Sequence, residues 1–467
     1  MAGNVLRRGL IGGSVVALVT ALAGLTPAFG AVTPADWPAF MAGPSHTSDN
    51  KAETAITPAN AGALTMKWHF VGDQPTQTGQ PEPAYNASPT VADGAVFIGS
   101  RTGWFYKLDE RTGQVLAKTF LGFQPHLTCT AGGIISTATV AKDPADGQDT
   151  VYVGAPDGYL HALRVSDLST KWRSVIAIPS QTTSNYFQWS SPTVIGGKIY
   201  IGVSSHCDRP LIRGGVIGYR QATGKVFAHY FDVPKGVVGG SVWSSVAAGT
   251  KYVFATTGNG TAGARHLYDT IAMVELRAGT LARIAKFQPP PSQRAFDADF
   301  GASPARFGSL VGACNKNGIF YALHVPSMKV AWERRVAASP GNTGRATCIA
   351  GSAYDGSSLY VGATATSIDG QGFGGSVRRL DPATGKVLWA TGLPNEVLGA
   401  PTLDGAGVVA VGTYGSSATP NAVYLINAKT GQIVRTLITG SNDFAQSVFA
   451  GGWLFTANGD GVYAWGA

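Results

Sequence analysis

The sequence predicts an all-β chain, an eight-bladed β-propeller of four-stranded antiparallel blades, and three observations carry that reading. A unit in which Ser-Pro-Thr leads into an apolar strand, a Gly turn and a second strand ending in Gly recurs eight times. Its copies start at Ser88 (SPTVADGAVFIG), Ser136, Ser191 (SPTVIGGKIYIG), Ser245, Ser303, Gly351, Ala400 and Gln446, at steps of 46 to 58 residues. Repeats of that length built from short strands are propeller blades. Next, 62 Gly and 26 Pro among 467 residues handicap sustained helices and suit strands joined by tight turns. Finally, the two ends of the repeat array complement each other. The last copy stops after GVYAW at Gly461–Trp465, one strand short, while Leu64–Phe70 (LTMKWHF) is a strand without a blade. Pairing them completes blade eight and leaves no open sheet edge.

Within each copy three strands of alternating pattern are recognisable, and most copies add a fourth after a Thr-Gly turn, as in TGKVLW at Thr384–Trp389. Trp68, Trp172, Trp332 and Trp389 recur at equivalent positions of the outer strand, where an indole packs between neighbouring blades. Ahead of the repeats, Arg7 and Arg8 precede an apolar run from Leu10 to Leu25, with Ala28 and Gly30 as small residues before Ala31. That pattern predicts a signal peptide, residues 1–30, cleaved after Gly30, and export to the periplasm or the exterior. Residues 31–467 are then expected to form one propeller domain, a monomer with no membrane span, since no later window carries eighteen apolar residues.

The formal charge is +8, but the 35 Lys and Arg are dispersed singly and form no run that would track a phosphate backbone, so nucleic acid is not an expected partner. Neither GxSxG nor HExxH occurs, which removes the common hydrolase signatures. The absence of CxxCH excludes a covalently attached c-type haem on this chain.

In a four-stranded antiparallel blade the loop leading to the inner strand and the loop joining strands two and three share one face of the disc. Trp243, Asp297, Asp299, Cys129 and Cys348 lie on or just before inner strands; Cys207, Asp208, Asn259, Cys314 and Lys316 follow second strands. All ten therefore map to one face, while the other receives mostly DG, GG and TG turns. Four cysteines allow three pairings. Position in neighbouring blades favours Cys129 with Cys207 and Cys314 with Cys348, and no CxxC spacing supports a thiolate metal site.

The blade pattern, with TTGNG at Thr256–Gly260, FDADFGASP at Phe296–Pro304 and NKNGIFYAL at Asn315–Leu323, resembles the eight-bladed quinoprotein alcohol dehydrogenases. DWPAFMAGPSHTSDN at Asp36–Asn50 is similar to the N-terminus of their smaller, polyvinyl-alcohol-dehydrogenase-like relatives without a haem domain. The resemblance covers nearly all of residues 31–467. It implies pyrroloquinoline quinone and Ca2+ as cofactors, with no haem. It implies Asn259, Asp297 and Asp208 as calcium ligands, and Asp297 as the general base with Asp299 as the alternative. Trp243 would be the indole on which the quinone stacks, and Lys316, Ser204 and Arg213 the partners of its oxygens. The sequence departs from the family at three points: Asp208 stands one position away from the usual acidic ligand, a single Cys129 replaces a vicinal cysteine pair, and Phe296 replaces a tryptophan.

The chemistry asks for these residue types on its own account. A flat polyanionic quinone needs an aromatic floor and cationic or hydroxyl partners, and a hard cation held by oxygens makes its carbonyl electrophilic. A carboxylate beside it takes the hydroxyl proton. The implied activity is oxidation of a small or polymeric alcohol, with electrons passed to a separate cytochrome or quinone. The alternative is a non-catalytic propeller that binds a protein or polysaccharide.

Overall fold

Among the described residues the repeats fold into eight antiparallel four-stranded blades, and the blade that begins at Thr402–Asp404 gains a fifth strand, Asp49–Asn50, paired with it in parallel. The computed structural model describes residues 1–3, 35–125, 132–180, 182–263, 265–339, 347–415 and 418–467. The expected cleavage point after Gly30 falls outside these, as does the signal segment beyond its first three residues. Blade four comprises Ala247–Ala248, Tyr252–Thr256, Met273–Arg277 and Arg283–Phe287; blade five comprises Ala305–Phe307, Leu310–Cys314, Ile319–His324 and Val330–Arg335. Burial falls outward as the sequence predicts. Second strands such as Ala95–Gly99 and Leu310–Cys314 are buried throughout, whereas outer strands such as Val115–Phe120 keep at most partly covered side chains. Apolar clusters draw on adjacent blades, as where Phe254 of blade four packs with Phe307, Phe320 and Trp332 of blade five and Leu359 of blade six.

The ring closes as expected. Val448–Ala450, Trp453–Ala457 and Val462–Gly466 receive Thr65–Phe70 as their fourth strand, with Trp68 opposite Ala464 and Phe70 opposite Val462. The recurring tryptophans explain the Thr-Gly turns. The indole N–H of Trp68, Trp332 and Trp389 donates to Glu110, Pro382 and Ala428 in the turn of the next blade. The turn glycines Gly113, Gly385 and Gly431 have positive φ, and a Cβ on any of them would come within 2.8 Å of the indole.

The repeated Ser-Pro-Thr forms two rings of inter-blade hydrogen bonds around the axis. The backbone N–H of Gln446, Ser88, Thr137, Ser191 and Ser245 donates in turn to the hydroxyl of Ser88, Thr137, Ser191, Ser245 and Ser303. Two residues on, the hydroxyls of Thr90, Thr139, Thr193 and Thr402 donate to carbonyls of Ala138, Pro192, Val246 and Ser447. The register puts Thr137, one residue after the expected Ser136, at the start of repeat two.

The first ring is interrupted at Gly351 and Ala400, which carry no hydroxyl. Residues 37–50 fill the gap from the turn face opposite the predicted site. This segment makes backbone hydrogen bonds to Val91, Val140, Ala248, Arg306, Tyr354 and Leu403 on six inner strands, and Asn50 donates to Phe449 on a seventh. Met41, wholly buried, packs on Gly351 and Ala400. Met41, Ala42, His46 and Ser48 all have left-handed φ, a density of strained residues that only extensive external bonding sustains. Among the described residues, no helix is long and apolar enough to cross a membrane.

Candidate active site

Five loops of blades three to five bring six predicted residues together on one face. Asp208 follows the second strand of blade three; Trp243 and Asn259 belong to the loops around blade four; Asp297, Asp299 and Lys316 flank the first two strands of blade five. Cys314, immediately before the Asn315–Asn317 turn, is disulfide-bonded to Cys348 of blade six with Cα atoms 5.5 Å apart. The Asn315 amide donates to Ala298 and the Lys316 N–H to Asp299, so the lysine loop and the acid loop are one hydrogen-bonded unit.

At the centre, Lys316 Nζ lies 2.6 Å from Asp299 Oδ1 and 3.2 Å from Asp297 Oδ1. Burial alone would lower the ammonium pKa, but the two carboxylates outweigh it and hold Lys316 above its ordinary value. Asp299 also accepts the Trp243 indole N–H at 3.0 Å. Lys316 in turn sits 5.1 Å from the Trp243 ring centroid. Gly301 permits that placement, because a Cβ there would lie 2.3 Å from the indole.

Asn259 bridges the other acids, its amide donating to Asp297 Oδ1 at 2.6 Å and Asp208 Oδ2 at 3.2 Å. Asp208 Oδ1 accepts from the Ser205 hydroxyl at 2.7 Å and from Ser241 at 3.3 Å. Asp208 and Asp297 both have left-handed φ, 54° and 53°, so the carboxylates are aimed by strained backbone. The cluster holds three carboxylates against one ammonium.

Two predicted residues stand apart. The Ser204 hydroxyl donates to the Phe187 carbonyl at 2.6 Å and is buried, while its neighbour Ser205 reaches Asp208. Of the two serines that follow the strand Lys198–Val203, Ser205 rather than Ser204 is therefore the one in contact with the cluster. Arg213 donates from Nε to Val233 and stacks its guanidinium 3.8 Å from the Phe231 ring centroid, so it belongs to the outer edge of blade three. Cys129 lies outside the described residues, and with it the expected Cys129–Cys207 pair. Residues 126–131 and 340–346 are likewise outside the described residues.

Among the described residues no group of three or more acid, His or Cys side chains is placed to hold a metal ion, so a hard cation here would rest on two carboxylates and an amide. Asp208, Asn259 and Asp297 offer two carboxylates and an amide whose oxygen and nitrogen exchange on a half-turn of the side chain, and the cluster carries an excess of negative charge. Trp243 and Trp189 line a cavity of about 90 Å³ on the propeller axis with Ile135, Ile349 and Phe444, and Lys316 lies beside the indole outside that lining. Trp189, Ser205 and Ser241 were not singled out as site residues; the QWSSP and VWSSV repeats are the sequence signal that relates Trp189 to Trp243.

A family model described as outer membrane protein assembly factor BamB matches residues 68–289 and 316–437. Among curated proteins, the quinohemoprotein alcohol dehydrogenase ADH-IIG of Pseudomonas putida is 26% identical over 179 residues, 38% of this chain, and the match spans 23% of that relative's length. Among solved structures, the quinohemoprotein alcohol dehydrogenase of Comamonas testosteroni superposes with a TM-score of 0.70 at 17% identity, covering 92% of this chain and 80% of that one. A europium-containing methanol dehydrogenase superposes with a TM-score of 0.72 at 15% identity, over 92% and 91% of the two chains. These structures share the propeller fold, and the family model covers most of the sequence. The chain therefore belongs to the pyrroloquinoline-quinone-like β-propeller family that this BamB-described model represents.

Proposed function

We propose that this protein is an exported quinoprotein dehydrogenase that oxidises an alcohol, small or polymeric, with pyrroloquinoline quinone and a calcium ion, and hands the electrons to a separate acceptor. The observation that supports it is the convergence of Asp208, Asn259, Asp297, Asp299 and Lys316 from three blades beside Trp243, whose indole lines the axial cavity. When bound, the quinone supplies the electron-accepting carbonyl, and calcium makes that carbonyl more electrophilic.

The chain's own residues have separate tasks in this reading. Trp243 is the aromatic floor, held in plane by its bond to Asp299. Lys316 fixes both acids and would supply the positive charge for an anionic quinone. Asp208, Asn259 and Asp297 would hold the cation. Asp297 is the base: Asn259 and Lys316 both engage Oδ1, which leaves Oδ2 to take the hydroxyl proton, and its side chain is 30% exposed.

The test is reconstitution of the purified protein with pyrroloquinoline quinone and calcium, with europium as a parallel arm, followed by dye-linked oxidation of primary, secondary and polymeric alcohols. Turnover that depends on both additions supports the reading. A protein that binds no quinone in calorimetric titration and oxidises none of these alcohols is instead a binding scaffold. The observation on that side is that the Asn259 amide and Lys316 already occupy the spaces between the acids. Appearance of the mature chain in the periplasm or medium, beginning at Ala31, tests export.

A further inference from the structure

The segment that circles the axis has two sides. Its turn Phe40–Ala42 is the wall between the axial cavity beneath Trp243, which Phe40 lines, and a second cavity on the opposite face, which Ala42 lines. This second cavity measures 570 Å³, within the range of small-molecule sites, and is formed almost wholly by the segment itself: Asp36, Pro38, Ala42, Thr47, Asp49 and Lys51, closed by Tyr354 and Gly356 at the inner turn of blade six.

Its chemistry is set by Asp49. The backbone of Asp49 and Asn50 pairs in parallel with Leu403 and Asp404, which fixes the side chain against the cavity. That side chain is 4% exposed, yet its carboxylate accepts no hydrogen bond from the described residues. Its nearest cation is Lys51 Nζ at 3.9 Å, on a side chain 69% exposed at the mouth. A buried carboxylate without hydrogen bonds is costly, and such a group facing a cavity marks a place where a ligand supplies the missing partner. Burial raises the Asp49 carboxyl to about 6 against the pull of Lys51, with nearby Asp355 adding to the rise. Asp355 is spent on its own turn, where it accepts from the Ser357 and Ser358 N–H groups and the Tyr360 hydroxyl. Asp36 brings a second acid to the wall, and Tyr354, its hydroxyl donated to Gly356, turns an aromatic ring to the same space. Two carboxylates and an aromatic ring, with Pro38, Ala42 and Ala52 as the apolar part of a wall that also carries Thr47, Asn50 and Lys51, are complementary to an alkylammonium group.

We propose that this cavity is a second ligand site, on the face opposite Asp297, that binds a small organic cation through a primary ammonium group on Asp49 with its alkyl chain along Pro38 and Ala42. The ammonium replaces Lys51 as the partner of the acid. Nothing in this site depends on the dehydrogenase reading, because no residue is shared with the cluster of blades three to five.

The experiment is titration of the cofactor-free protein with n-butylammonium chloride at constant ionic strength, followed by calorimetry and ligand-observed NMR. n-Butanol serves as the neutral isostere and potassium chloride as the inorganic control. Saturable butylammonium binding is expected, weakened roughly tenfold or more by Asp49→Asn and tightened about threefold by Lys51→Ala, with Asp297→Asn unchanged. Opposite responses of two neighbouring variants separate ligand binding from damage to the fold, and unchanged melting temperatures confirm it. The proposal is overturned by butanol binding equally well, by potassium competing at equal concentration, by binding that survives Asp49→Asn, or by no saturable binding up to about 50 mM.

Discussion

Lys316 Nζ is 2.6 Å from Asp299 Oδ1 and 3.2 Å from Asp297 Oδ1, so one ammonium ties two acids whose exposure differs sharply, 1% against 30% for the side chains. Asp299 is consumed by this ion pair and by the Trp243 indole, which supports Asp297 as the base in the proposed reaction. Asp297→Asn is expected to lower reconstituted alcohol oxidation by about 10³ while leaving the melting temperature unchanged. Asp299→Ala leaves a buried ammonium without its principal partner and is expected to cost about 3 kcal/mol of stability. Denaturant midpoints alongside turnover separate the two. Equal loss of stability in both variants would show that the acids do not divide the work.

Asn259 holds Asp208 and Asp297 through a single amide group, at 3.2 and 2.6 Å, and in the proposed function these three side chains would supply part of the oxygen shell of a calcium ion. Calcium at about a hundred times its dissociation constant is expected to stabilise the cofactor-free protein by about 2.7 kcal/mol. Asp208→Asn and Asn259→Leu should each remove most of that gain, whereas Arg213→Ala, on the far edge of blade three, should keep it. Calcium-dependent melting curves decide this, and a gain retained in Asp208→Asn would displace the ion from this cluster.

The fold was legible because a propeller repeats its instructions. The Ser-Pro-Thr start, the Gly turns and the outer-strand tryptophans each occur several times, and every copy has the same neighbour to satisfy. The site was legible only to the level of loops. Strand counting put Asp208, Asn259, Asp297 and Lys316 on one face, yet it could not say that Ser205 rather than Ser204 faces Asp208, because alternation at a strand end depends on where the strand stops. Arg213 was matched by motif, but its guanidinium found Phe231 and the Val233 carbonyl, contacts made across the blade edge and invisible to spacing. The second cavity had no sequence signal, since it is made by residues 36–51 curling on themselves under the constraint of seven inner strands.

His46 gives the axial segment a pH dependence. Its ring is buried, its Nδ1–H donates to the Pro304 carbonyl at 2.9 Å, and burial lowers its pKa from 6.5 to about 4. The unfolded chain therefore takes up a proton between pH 6.5 and 4 that the folded chain refuses. Stability from this residue is intact above pH 6.5 and lost as pH falls through that window, by about 3 kcal/mol in full. Asp404 and Asp443, whose burial raises them to about 7, act in the opposite sense, so the comparison must be between wild type and His46→Gln. Urea unfolding at pH 7.5 and 4.5 should show a smaller acid-induced loss in the variant. An identical loss in both would assign the acid sensitivity elsewhere.

The ring of hydroxyls around the axis predicts where small substitutions are felt. The Ser245 hydroxyl accepts the Ser191 N–H at 2.8 Å, and the Ser303 hydroxyl accepts the Ser245 N–H at 2.9 Å, each across a blade boundary and each wholly buried. Ser245→Ala removes one acceptor and orphans a buried N–H, at an expected cost of about 1–2 kcal/mol. Ser327→Ala, on an exposed turn of blade five, is expected to change stability by less than about 0.5 kcal/mol. The boundaries at Gly351 and Ala400 already lack hydroxyls and depend on Met41 instead, so Met41→Ala opens a cavity there and is expected to cost about 2–4 kcal/mol. Equilibrium unfolding of the three variants measures this order. A Met41→Ala loss no larger than that of Ser327→Ala would mean that the segment merely lies over the axis and does not complete the ring.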